Sequence, residues 1–198
     1  MTITATMVKE LRELTAAPML DCKRALEATN GDVEKAREWL DERGLAKAAK
    51  KASRETSEGL VYAYIHPGNR VGVLVEVNCE TDFVARGETF RQLCHDLTLH
   101  IAMANPLYLS KDDVPQAVID EKLAHFKALA IEEGKPANIA EKIAAGRLEK
   151  FYSEEVLLEQ PFIKDEDITI GKLIAQTIGT IGENMRISRF VRYELGNY

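Results

Sequence analysis

The chain has 198 residues, 45% of them apolar, enough to bury one substantial core, or one core and a small satellite domain, without disulfides or a metal. Its 26 basic and 32 acidic side chains leave a net charge of −6, so no global field draws nucleic acid or anionic lipid, and a macromolecular partner is expected to be protein. Cys22, Cys79 and Cys94 form no C-x-x-C pair and are too scattered for a disulfide framework, which fits a reducing compartment.

The opening MTITATMVKELRE has no apolar run of signal-peptide length, and nothing downstream approaches the ~18 continuous apolar residues of a membrane span. A cytoplasmic location without membrane contact is expected. Val8, Leu11 and Leu14 recur at helical spacing until Thr15-Ala16-Ala17-Pro18 interrupts, with Pro18 placed at the first position of a second helix. That helix carries Met19, Cys22, Ala25 and Leu26. Asn30-Gly31-Asp32 then supplies a helix stop and an N-cap, and Val33, Ala36, Trp39 and Leu40 mark a third stripe that ends at Gly44.

Residues 45–58 are small and charged, and read as a partly helical linker with Lys47, Lys50, Lys51 and Arg54 clustered in it. On an acidic chain this cluster is expected to be a solvated face rather than a nucleic-acid contact. From Gly59 the period changes to two. Leu60, Tyr62 and Tyr64 alternate with Val61, Ala63 and Ile65, His66-Pro67-Gly68-Asn69 turns the chain, and Val71, Val73, Val75 and Val77 line one face, predicting a β-hairpin.

Helical patterning resumes from Asp82 to about Ala104, with Val84, Phe90, Leu93, Leu97 and Ile101 apolar and Asn105-Pro106 as the stop. Helices over about 115–132 and 136–152 follow, separated by Gly134-Lys135-Pro136, and TIGKLIAQTIGTIG predicts another, weakened by Gly179. The closing NMRISRFVRYELG alternates again and is expected to add a strand to the hairpin. The fold class is therefore α+β: a three-helix module over 1–45, a basic linker over 46–58, and a core over 59–198 in which a three-stranded antiparallel sheet packs with helices.

Catalytic chemistry finds no foothold. Cys94 and His95 are neighbours on a helix and point about 100° apart, so a core cysteine beside a surface histidine is expected instead of a nucleophile and its base. His95 and His100 are badly spaced for two ligands on one helical face, His66 falls in a turn, and no metal set emerges. Neither a G-x-x-x-x-G-K-[ST] loop nor a G-x-G-x-x-G fingerprint is present, so no cofactor or nucleotide site is expected.

Thr81-Asp82-Phe83-Val84 lies where the hairpin enters a helix. Thr81 is an expected cap, Asp82 complements the positive end of the helix dipole, and Phe83 falls at the margin of the apolar stripe. Periodicity alone favours a buried Phe83. A strand running into a capped helix is also a good mount for an exposed aromatic anchor, since little entropy is lost when such a ring docks.

The stretch EVNCETDFVAR, 76–86, strongly resembles a signature of the elongation factor Ts family, the guanine-nucleotide exchange factors for elongation factor Tu, and LTAAPMLDCKRAL, 14–26, resembles the family's N-terminal motif. LLEQPFIKD and ENMRISRFVRYELG are also similar to that family, so the resemblance covers almost the whole chain. One departure is Ala16-Ala17-Pro18, where many members carry Gly-Ala-Gly.

The resemblance implies that the N-terminal helices form a ubiquitin-associated-like module that touches the GTPase domain of elongation factor Tu around Met19, Leu20 and Lys23. It further implies that Thr81, Asp82, Phe83, Val84 and Arg86 contact that domain, with Phe83 wedged between two of its helices, and that GDP and its magnesium are released. Long members duplicate the core and bear a protruding coiled-coil hairpin, while short members such as this one are implied to act as homodimers. The competing reading is a ubiquitin-associated-like adaptor on a dimerising scaffold, its patch centred on Met19 and Leu20.

Overall fold

The computed structural model describes residues 3–15 and 17–197. Ala16, in the expected break between the first two helices, lies outside them, as do the outermost residues of the expected N-terminal module and core. Two compact units are distinguished. The first takes the chain up to Val61, Glu76–Cys94 and Lys172–Ser188; the second takes Tyr62–Val75, His95–Gly171 and the chain from Arg189 onward.

In the first unit α1 (Ala5–Thr15), α2 (Met19–Ala28) and α3 (Val33–Lys51) enclose a small core of Val8, Leu11, Ala17, Cys22, Ala25, Leu26 and Ala36. Pro18 proves to be the residue before α2 rather than its first helical residue. Asn30 and Gly31 take positive φ of 54° and 85°, and the Asp32 carboxylate caps α3 by accepting the Lys35 N–H at 3.1 Å. Leu14, expected on the inner stripe of α1, is 63% exposed. The helix ends beside it, with the Thr15 hydroxyl bonded back to the Leu11 carbonyl at 2.7 Å, and Ala17 and Cys22 close the core in its place.

The third helix does not stop at Gly44. It runs on to Lys51, so the first half of the expected linker is helical. Gly44 is buried because α8 (Ile170–Ile181) crosses it at Gly179, where an added Cβ would stand 2.9 Å from the Gly44 Cα. Glycine inside a helix costs roughly 1 kcal/mol against alanine. Here the absence of two side chains lets the backbones meet, and Asp41 fixes the crossing by accepting from Gln176 at 2.8 Å and pairing with Lys172 at 3.3 Å.

The hairpin forms as its alternation requires. β1 (Glu58–Ile65) and β2 (Val71–Cys79) pair, and β5 (Met185–Glu194) completes an antiparallel sheet of order β1-β2-β5. Val73, Val75, Val77 and Cys79 point inward. The expected helix from Asp82 to Ala104 is two helices, α4 (Asp82–Arg86) and α5 (Glu88–Ala104), because Gly87 adopts extended backbone (φ −66°, ψ 145°) between them. In the second unit α6 (Gln116–Glu132) and α7 (Ala137–Glu155) form a hairpin over Val114, Leu148, Phe151, Tyr152 and Val156. The short ribbon of β3 (Pro161–Phe162) and β4 (Asp165–Thr169) was not expected, since β3 has only two residues and β4 is mostly polar.

Candidate functional site

The corner after β2 is built from Glu80 to Arg86. Thr81 is the N-cap of α4, its hydroxyl accepting the Val84 N–H at 3.4 Å. Ala85 is the one buried residue of this short helix. Phe83 therefore points away from the core and is 81% exposed, which corrects the burial favoured by periodicity. An unbroken helix would have carried the inner stripe back towards Phe83, and the break at Gly87 ends that stripe at Phe90. Asp82 and Arg86 form an i,i+4 ion pair at 2.8 Å beside the ring, and Val84 is half-buried.

Residues remote in sequence complete the corner. The Glu183 carboxylate accepts the Thr81 N–H at 3.0 Å and the Thr81 hydroxyl at 2.8 Å. In return Glu80 accepts the Asn184 N–H at 2.6 Å, and Arg54 lies 3.4 Å from its other oxygen. The Asn184 N–H, aided by the Arg54 charge, holds the Glu80 carboxyl below its ordinary value. The Asn184 side-chain amide donates to the carbonyls of Arg54 at 2.8 Å and Ala52 at 3.4 Å, and Lys51 donates to the Gly182 carbonyl. Of these partners only Lys51 and Arg54 stand out in the sequence, and there as members of a solvated basic cluster rather than as parts of this corner. The only pointer to Glu183 and Asn184 is that they open the closing family-like motif.

Met19, Leu20 and Lys23 belong to a different helix start, the first two turns of α2. Met19 and Leu20 are 50% and 57% exposed, and Lys23 is an exposed cation 3.7 Å from Glu27. Leu14, near the end of α1, is exposed as well.

The residues weighed for catalysis have other roles. Cys94 is buried, and burial pushes its thiol up to about 12, the opposite of what a nucleophile requires. The His95 ring meets Tyr62 and Tyr64 edge-on, with centroids 6.2 and 5.7 Å away. His100 is buried with Nε2 bonded to Gln160 Oε1 at 2.9 Å and Nδ1 accepting the Ile163 N–H at 3.4 Å, and burial lowers its basicity. Among the described residues, no three His, Cys, Asp or Glu side chains are grouped to hold a metal, and no helix is long and apolar enough to cross a membrane. In the basic cluster Lys47 pairs with Asp21 at 2.6 Å, Lys51 and Arg54 bond to the corner from partly solvated positions, and Lys50 is exposed.

What this arrangement can do is bind. It offers an aromatic ring on a bonded helix start, flanked by an ion pair, and exposed apolar side chains on the N-terminal helices. The family model described as "Elongation factor TS" matches residues 1–197. The chain is 58% identical to the elongation factor Ts of Carboxydothermus hydrogenoformans over 194 residues, covering 98% of this chain and 89% of that protein. It is also 58% identical to that of Syntrophomonas wolfei (98% and 91% covered) and 56% identical to that of Moorella thermoacetica (98% and 96%).

Proposed function

The chain belongs to the elongation factor Ts family and so has a role in translation elongation, and we propose that it binds elongation factor Tu in the cytoplasm and promotes release of GDP and its magnesium so that GTP can bind. The observation that carries this reading is Phe83, an aromatic ring left 81% exposed on a helix start that is bonded in place. Exposing a large apolar side chain has a cost in water, and burying it in a partner recovers roughly 25 cal/mol per Å² of apolar surface. Asp82, Thr81, Val84 and Arg86 border the contact.

The mechanism is one of linkage. A factor that weakens the GTPase's hold on nucleotide is itself bound more weakly, by the same factor, when nucleotide is present. No covalent bond is made or broken. A thousandfold faster release asks for roughly 4 kcal/mol off the barrier, a quantity one well-buried aromatic anchor and its neighbours can supply. Met19, Leu20 and Lys23 add a second contact to the GTPase domain. That Lys47, Lys51 and Arg54 each have a partner within the chain supports a function without direct nucleic-acid contact.

The homodimer belongs to the same proposal. Ile65, Leu74, Tyr193 and Leu195 are exposed apolar side chains around one groove of the second unit, a surface that a second copy would cover. Sedimentation equilibrium tests this, and a monomer at micromolar concentration would refute it. For exchange, the test is displacement of fluorescent GDP from elongation factor Tu by catalytic amounts of the protein. Multiple turnovers per molecule are expected; stoichiometric binding without turnover would leave only the adaptor reading, which the Met19 and Leu20 surface favours.

A further inference from the structure

We propose that Glu183 is the positioning residue that presents Phe83 to the partner, an inference that rests on the exchange reading above. A helix of five residues cannot sustain itself, because nucleation fixes several residues for few hydrogen bonds. With Ala85 alone buried, packing holds α4 weakly. Its geometry must come from the cap.

A threonine hydroxyl has one proton to give and lone pairs to receive with. Glu183 Oε1 takes the Thr81 proton at 2.8 Å, which leaves the hydroxyl oxygen turned to receive the Val84 N–H. Glu183 Oε2 takes the Thr81 backbone N–H at 3.0 Å. One carboxylate thus sets both the rotamer and the backbone of the cap, through charge-assisted bonds that reinforce the one beyond them.

The attachment runs both ways. Glu80-Thr81 and Glu183-Asn184 exchange bonds reciprocally, since Asn184 donates its N–H to Glu80 while Glu183 receives from Thr81. Asn184 also binds the carbonyls of Ala52 and Arg54, so the same turn holds the residues that follow α3. Phe83 stands two residues beyond the fixed point. A ring on a mount that yields loses, in ordering the mount, part of the binding free energy that would displace a partner's helices.

The test measures fluorescent-GDP release from elongation factor Tu at saturating factor for wild type, Phe83→Ala, Glu183→Ala, Glu183→Gln and the double variant Phe83→Ala/Glu183→Ala. Amide hydrogen exchange of residues 81–86 in the free proteins is measured alongside. Glu183→Ala removes both bonds to Thr81 and is expected to slow release about tenfold, since water replaces part of what is lost. In the Phe83→Ala background it is expected to change nothing further, because a positioning residue has no effect without the group it positions. The amides of Thr81, Val84 and Ala85 are expected to exchange about tenfold faster while those of α5 keep their protection.

Glu183→Gln, which retains one acceptor and guards against a folding defect, is expected to fall between wild type and Glu183→Ala. An equal slowing with and without Phe83, or unchanged exchange at Thr81, Val84 and Ala85, would overturn the proposal. Should the wild type release no GDP at all, the exchange reading fails first, and the amide measurement still decides whether Glu183 holds the corner.

Discussion

Two helix starts in the first unit place an exposed apolar side chain at the second helical position: Leu20 in α2, after Pro18, and Phe83 in α4, after Thr81. They are held by different means. Helix α2 has ten residues and buries Cys22, Ala25 and Leu26, so its own inner face fixes it, and Pro18 makes no side-chain cap bond. Helix α4 has five residues and buries one, and its cap is bonded to a segment about a hundred positions away. A helix anchored by its core can present a contact without further support, whereas a single exposed turn must be fastened by polar bonds to become stiff. On the proposed function, Phe83 does the displacing and Leu20 adds affinity.

The largest effect that can break this comparison is expected from Phe83→Ala. It should lower the stimulated rate of GDP release on the order of a hundredfold, as for a central aromatic hot spot. Because the ring is exposed, stability should move by less than about 0.5 kcal/mol, checked by chemical unfolding. A comparable loss of stability would show that the ring packs within its own fold.

Next in size is Gly179→Ala. Its methyl would stand 2.9 Å from the Gly44 Cα, a backbone atom with no flexible end to move aside. The crossing of α3 and α8 must then open, at roughly 1–3 kcal/mol, read as a lowered urea midpoint. The turn that fastens Thr81 follows α8 directly, so GDP-release activity should fall with it, unlike in a variant of α2.

Leu20→Ala sharpens the comparison from the other side. Truncating one exposed contact should weaken affinity for elongation factor Tu about fivefold, roughly 1 kcal/mol, with the saturated release rate unchanged. Titration of the release rate against factor concentration separates the two quantities.

The smallest effect is that of pH on the fastening itself. Glu80 is held below its ordinary value of 4.5 by the Asn184 N–H, so the folded state resists its protonation more than the unfolded chain does. That contribution is present above pH 4.5 and is lost as pH falls below it. His100, in the second unit, is held below 6.5 by burial, outweighing its bond to Gln160, so its contribution begins to be lost at a higher pH, below 6.5. Amide exchange followed as pH is lowered from neutral should show Ile163 keeping its protection through pH 6.5 and losing it only at the lower pH where Nδ1 of His100 gains a proton and stops accepting, while 81–86 remain protected down to pH 4.5.

Which parts were legible follows from the range of the interactions that decide them. The hairpin was readable because alternation and the turn at Gly68-Asn69 are local, and so was Asp32 as a cap three residues before Lys35. Thr81 was readable as a cap for the same reason, though its second partner was not, since Glu183 is 102 positions away. Gly44 carries the ordinary signal of a helix end and is instead a place of close approach, a role visible only when Gly179 is brought opposite it. Phe83 was misplaced by periodicity because the stripe of α5 was extended through Gly87, where the helix breaks. Its exposure was legible as the alternative that a strand entering a capped helix allows, and was favoured only by the family resemblance.

The most direct test of the wedge is the plateau of the GDP-release rate as factor concentration is raised, compared between wild type and Phe83→Ala. If the ring displaces the partner's helices, the variant reaches a plateau about a hundredfold lower that no excess of factor can raise. If the variant attains the wild-type plateau at higher concentration, the ring contributes affinity only, and the displacement must come from elsewhere.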